Sequence, residues 1–81
     1  MATLIVYSTA GCHLCEQAEA LLCQLALETP LDWQTVDIAT DAELVERYGV
    51  RIPVLVWQGS TIELGWPFDL QQLRHFIAAG I

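Results

Sequence analysis

The chain has no lysine. Three arginines stand against ten acidic residues, giving a formal net charge of −7 over 81 residues. That balance leaves no basic patch to neutralise phosphates, so nucleic acid is excluded as an expected partner. It also opposes anionic ligands in general. Long apolar runs are missing. No segment approaches the ~20 residues of a membrane span, and no membrane partner is expected. The stretch Met1-Ala2-Thr3-Leu4-Ile5-Val6-Tyr7 has no basic n-region, and its apolar run is too short for a secretory signal. Cysteine is scarce and odd in number, three in all, which argues against a disulfide-stapled secreted domain. Together these absences point to a cytoplasmic protein in a reducing compartment, where C-x-x-C is more often catalytic or metal-binding than structural. There is no repeat, linker or low-complexity stretch.

What is present is apolar: 54% of residues are hydrophobic and only 16% are charged. Such a chain can build a core despite its length, so a single domain over 1–81 is expected, as a monomer. Leu4-Ile5-Val6-Tyr7 reads as a buried strand, Ser8-Thr9-Ala10-Gly11 as a turn, and Cys15 to Leu27 as an amphipathic helix. Leu14, Ala18, Leu21, Leu22 and Leu25 follow helical spacing as its buried stripe. Thr29-Pro30 ends it. Leu31 to Ile38 reads as a second strand. Thr40-x-x-Glu43 is a capping-box signature for a short helix that Gly49 is placed to end.

Arg51 to Trp57 reads as a third strand with Pro53 near its start, where a missing N–H is tolerated. Gln58-Gly59-Ser60 is a hairpin turn and Thr61-Ile62-Glu63-Leu64 a fourth strand. Gly65-Trp66-Pro67-Phe68 breaks the pattern. Asp69-x-x-Gln72 is a second capping box, opening a last helix with Leu70, Leu73, Phe76 and Ile77 on one face. The order is β-α-β-α-β-β-α, with a parallel crossover between the first two strands and an antiparallel hairpin at the end.

Cys12-His13-Leu14-Cys15 is the motif that carries chemistry. It lies where the first strand hands over to a helix, so the first sulfur meets unpaired N–H groups and the positive end of the helix dipole. A thiolate there, with a second thiol one turn on, is the minimum kit for thiol–disulfide exchange. His13 beside it is able to lower the Cys12 pKa, or merely fills a variable position. Structural zinc needs four ligands, and the motif supplies two, so no metal is assigned.

This order of elements, the Cys12-x-x-Cys15 junction and the Ile52-Pro53-Val54 segment resemble the thioredoxin fold in its small, glutaredoxin-type form, a four-stranded mixed sheet flanked by helices. Gly11-Cys12-His13-Leu14-Cys15-Glu16 is similar to the small bacterial glutaredoxin-like proteins. The resemblance implies a thiol–disulfide oxidoreductase. Cys12 is its nucleophile and Cys15 its resolving thiol. Pro53 is cis, and the Ile52 backbone is free to pair with an extended substrate. The substrate is a disulfide-containing protein or a small thiol. No cofactor is built in, and glutathione or a reductase supplies the electrons. Glutaredoxins usually carry a lysine before the first cysteine and a Gly-Gly-x-Asp-like turn that binds glutathione. Here Ser8-Thr9-Ala10-Gly11 and Gly65-Trp66-Pro67-Phe68-Asp69 stand in those places, which implies poor use of glutathione. The alternatives are a redox-inert binding module of the same fold or a glutathione-ligated iron–sulfur carrier.

Other residues are weighed on position. Arg51 and Arg47 closely precede Pro53; they hold a substrate carboxylate or pair with Glu43 or Glu46. Trp66 walls a substrate groove or caps the core. Trp33 and Trp57 are expected in packing. Cys23, half a turn from the apolar stripe, reads as an incidental surface thiol, and His75 as solvent-facing.

Overall fold

Alternation along the first strand decides the layers. In β1 (Leu4–Ser8), Leu4, Val6 and Ser8 are buried while Ile5 and Tyr7 are partly exposed. The computed structural model describes residues 3–80. Met1, Ala2 and Ile81, and whatever the sequence pattern assigns to them, lie outside the described residues. After β1 come α1 (His13–Ala26), β2 (Trp33–Asp37), a short 3-10 turn (Ile38–Thr40) and α2 (Ala42–Tyr48). They precede β3 (Val54–Trp57), β4 (Glu63–Gly65) and α3 (Leu70–Gly80). The sheet order is β2-β1-β3-β4, with β1 and β2 parallel and the other two pairings antiparallel.

Register sorts the side chains into two clusters. Leu4 stands opposite Trp57, and Val6 opposite Leu55. These four pack with Ala18, Leu22 and Leu25 of α1, Leu73 and Ile77 of α3, and Phe68. Tyr7 stands opposite Val54 on the other face, where Ile38, Tyr48, Val54 and Val56 gather with Leu44 and Ile52. So α1 and α3 cover one face and α2 the other.

Several boundaries differ from those expected of the sequence, each for a local reason. Helix α1 begins at His13, two residues before the expected Cys15, because Cys12 caps it. Its buried row is Cys15, Ala18, Leu22 and Leu25, and Leu14 is 44% exposed. Leu14 lies about 100° round the helix from Cys15, in the first turn. Strand β2 stops at Asp37, because the Asp37 carboxylate accepts the Ala39 N–H at 2.9 Å and turns the chain into the 3-10 turn. That turn engages Thr40, whose hydroxyl donates to the Asp37 carbonyl. Thr40 is therefore not the cap of α2. Asp41 is, accepting the Glu43 N–H at 2.9 Å. The second capping box forms as expected: Asp69 and Gln72 exchange side-chain and backbone bonds of 2.7 and 3.0 Å. Strand β3 starts at Val54 and not at Arg51, because the N–H groups of Arg51 and Ile52 both turn back to the Tyr48 carbonyl. Strand β4 is Glu63–Gly65, shifted one to two residues along from Thr61–Leu64.

Candidate active site

The path from β1 into α1 is short and determined by one glycine. Gly11 has φ +77°, a conformation that side-chain-bearing residues rarely adopt. Nothing stands within 4 Å of where its Cβ would be, so backbone conformation and not space requires glycine here. The turn delivers Cys12 to the N-cap of α1 with extended φ and ψ. Its sulfur accepts the Cys15 N–H at 3.2 Å, and its carbonyl accepts the Glu16 N–H at 3.2 Å. A sulfur in the usual place of a capping oxygen receives a donor that the helix cannot otherwise satisfy. The same N–H and the helix dipole stabilise negative charge on that sulfur.

The Cys12 and Cys15 sulfurs are in disulfide contact, with Cα atoms 5.2 Å apart. The two are not equivalent in access. Cys12 is half-buried at the rim, and Cys15 is 5% exposed within the buried row of α1. His13 Nδ1 lies 3.3 Å from Glu16 Oε2, and both side chains stand largely in solvent. The imidazole is thus engaged with the carboxylate one turn on. Cys23 is a free, exposed thiol on α1, and His75 is exposed on α3, as their helical positions indicate. Among the described residues, no group of three or more His, Cys, Asp or Glu side chains converges as a metal would require.

Strand order brings Pro53 and Trp66 to the same end of the sheet. Val54 pairs with Tyr7 on one side and Gly65 on the other, so Pro53, Trp66 and the turn after Ser8 are neighbours at one edge. Trp66 donates its N–H to the Pro53 carbonyl at 3.1 Å. Its ring packs edge-on against buried Phe68, with centroids 5.1 Å apart. The Ile52–Pro53 peptide is cis, and so is Trp66–Pro67, which no sequence motif singled out. Pro53 itself is fully buried. The Ile52 N–H donates to Tyr48 at 3.1 Å, so of the two backbone groups expected to be free, the N–H is engaged.

Arg51 does not pair with Glu43 or Glu46. Its Nη2 donates to Glu63 Oε1, twelve residues on, and its guanidinium lies 5.6 Å from the Tyr48 ring. Arg47 stands 6.0 Å from the same ring, and Tyr48 stacks on Tyr7 with centroids 4.5 Å apart. The hydrogen bond from Arg51 holds the Glu63 carboxyl below the usual carboxylate range. Burial, then the neighbouring Glu63 carboxylate, pushes the Tyr48 phenol above its ordinary value. Neither Tyr48 nor Glu63 stands out as a site residue from sequence. Their spacing marks them as helix or strand residues but carries no sign of the partner. Two surface depressions among the described residues share Ile62, Phe76 and Ala79, and neither is lined by Cys12, Cys15, Pro53 or Trp66.

Proteins of known structure share this arrangement. No curated protein matches the chain. The crystal structure of protein XcR50 from X. campestris is similar, at 38% identity, covering 94% of this chain and 96% of that one with a TM-score of 0.80. The solution structure of protein Ne2328 from Nitrosomonas europaea is 29% identical over 93% of this chain and 89% of that one, with a TM-score of 0.77. A mutant thioredoxin from Halobacterium salinarum NRC-1 is 26% identical over 96% of this chain and 73% of its own length, with a TM-score of 0.73. The fold is therefore thioredoxin-like, with a close cysteine pair at the first strand–helix junction. The pattern of the Glutaredoxin-like domain (DUF836) runs along residues 3–78, from the start of β1 to the last turns of α3, and the chain belongs to that family.

Proposed function

We propose that the protein is a thiol–disulfide oxidoreductase of the cytoplasm. One observation carries the reading: the Cys12 sulfur caps α1, receives the Cys15 N–H and touches the sulfur of Cys15. In the reduced protein, Cys12 as thiolate attacks one sulfur of a substrate disulfide. That S–S bond breaks, the departing substrate thiolate takes up a proton, and a mixed disulfide remains on Cys12. Cys15, deprotonated, then attacks the Cys12 sulfur and releases the second substrate thiol, also protonated by solvent. Two electrons have passed from the dithiol to the substrate, and the Cys12–Cys15 disulfide is left. A thiol or dithiol reductant resets it.

Access decides the roles. The half-buried sulfur at the rim meets the substrate, and the buried one resolves. The Ile52 carbonyl lies at the edge where an extended substrate would lie, with Trp66 beside it, and the fully buried Pro53 anchors that backbone beneath. Engagement of His13 with Glu16 favours the helix terminus over the imidazole as the main source of Cys12 reactivity.

Two measurements test the reading. Equilibration in glutathione redox buffers should give a reversible potential within the roughly −270 to −120 mV spanned by thiol–disulfide proteins. Alkylation against pH should label Cys12 first, with a midpoint below the ~8.5 of a free thiol. An inert disulfide, or equal labelling of both cysteines, would overturn it.

A further inference from the structure

We infer that Glu63 is a specificity-determining residue: its carboxylate engages Arg51 from within the chain and so closes the Pro53 rim to thiols and disulfides that carry carboxylates. This deepens the oxidoreductase reading and rests on it for the word substrate.

The chain has only three cations, and each is engaged. Arg74 makes a bidentate pair with Glu28 at 2.8 to 3.2 Å. Arg47 lies against Tyr48, and Arg51 lies against Tyr48 and bonds Glu63. Of the three, Arg51 is nearest in sequence to the rim, two residues before Pro53. An anionic substrate bound at Cys12 would seek that cation first.

Glu63 turns it elsewhere. In the β3–β4 ladder Gly65 stands opposite Val54, at the cysteine end, whereas Glu63 stands opposite Val56. Two residues of strand set the carboxylate back by about 7 Å from that end. The guanidinium is held beside the Tyr48 ring and on a carboxylate whose strand position is set back from the cysteine end. Its side chain is 46% exposed and that of Glu63 28% exposed, so a ligand can reach the pair but has to displace a resident carboxylate. The displaced Glu63 would then face the incoming anion, in a molecule that already carries −7. A neutral or cationic disulfide meets no such competition. The hydrogen bond from Arg51 keeps Glu63 ionised through neutral pH, so the engagement holds under working conditions.

The test is binding of a ligand that cannot exchange. S-methylglutathione, whose sulfur is blocked, is titrated into the reduced protein and followed by NMR. Glu63→Gln should tighten its Kd by about three- to fivefold, the range of one exposed ion pair. The diester of the same compound, lacking the carboxylates, should show no gain. The double variant Arg51→Met/Glu63→Gln should lose the gain. Equal affinity of wild type and Glu63→Gln overturns the inference. So does a gain that survives in the double variant, since loss of one negative charge and not release of Arg51 would then explain it. Wild-type exchange with the neutral 2-hydroxyethyl disulfide is measured in parallel. Its failure would strike the oxidoreductase reading, and the binding arms would still decide Glu63.

Discussion

On the face of the sheet covered by α1 and α3, the strands meet Leu22, Leu25, Leu73 and Ile77. On the face covered by α2 they meet Tyr48, which stacks on Tyr7 and carries Arg47 and Arg51 against its ring. The first face is a close-packed interior. Every methylene there is out of water, so its contribution to stability is large and indifferent to pH. The second has a smaller buried cluster, Ile38, Tyr48, Val54 and Val56, and adds to it a partly exposed charge pair, which contributes little to stability and responds to pH. Both faces reach the edge that carries Cys12 and Pro53. The first supplies α1, with Cys12 at its cap and Cys15 in its buried row. The second supplies the loop that carries Ile52 and Pro53. The fold thus separates what keeps the chain folded from what adjusts the rim of the site.

Leu22 gives the sharpest test of that separation. It is fully buried between α1 and the sheet, and Leu22→Ala should lower stability by about 2–5 kcal/mol in denaturant melts. A loss below about 1 kcal/mol would mean that this face is not the principal core. On the other face, Arg51→Met keeps the side-chain stem beside Tyr48 and removes only the charge that meets Glu63. Its cost should be about 0–1 kcal/mol, the range of a partly exposed ion pair. A cost equal to that of Leu22→Ala would erase the distinction between the faces.

Acid titration sharpens the comparison further. The folded-state pKa of Glu63 is depressed by Arg51, so its stabilisation is present above the unfolded carboxylate value and is lost as pH falls through the folded one. Urea melts of wild type and Glu63→Gln should therefore differ at pH 7 and converge towards pH 3. Leu22→Ala and wild type should differ by a similar amount at both pH values. Tyr48 acts at the other limit. Its raised pKa gives a contribution present below about 10 and lost above it, as the phenol ionises. The smallest effect is expected at His13, which stands in solvent beside Glu16. His13→Ala should change the rate of Cys12 alkylation at pH 6 by less than about fivefold, the ceiling for an exposed charge. A larger change would assign the imbalance between the two thiols to the imidazole.

The sequence by itself determined the features that depend on short-range pattern. The strand at Leu4–Tyr7, helical spacing through Leu25, the Asp69–Gln72 cap and the placement of Cys12 at a strand–helix junction are all set within a few residues. Local geometry and hydrogen bonding suffice to read them. Even at short range, competition between neighbours shifted the outcome. Thr40 and Asp41 are both good caps, and the Asp37 turn engaged Thr40 first. Tertiary structure alone decided the rest. Leu14 fits the apolar row by spacing, but the angle at which α1 lies on the sheet buries Cys15 and leaves Leu14 out. Arg51 has acidic residues close by in Glu43 and Glu46, yet its partner is Glu63 across the β3–β4 hairpin. The Ile52 N–H was free only until the α2–β3 loop folded back on Tyr48. Each of these depends on contacts between segments whose mutual placement is fixed by the packing of the whole sheet, and no local pattern encodes that placement.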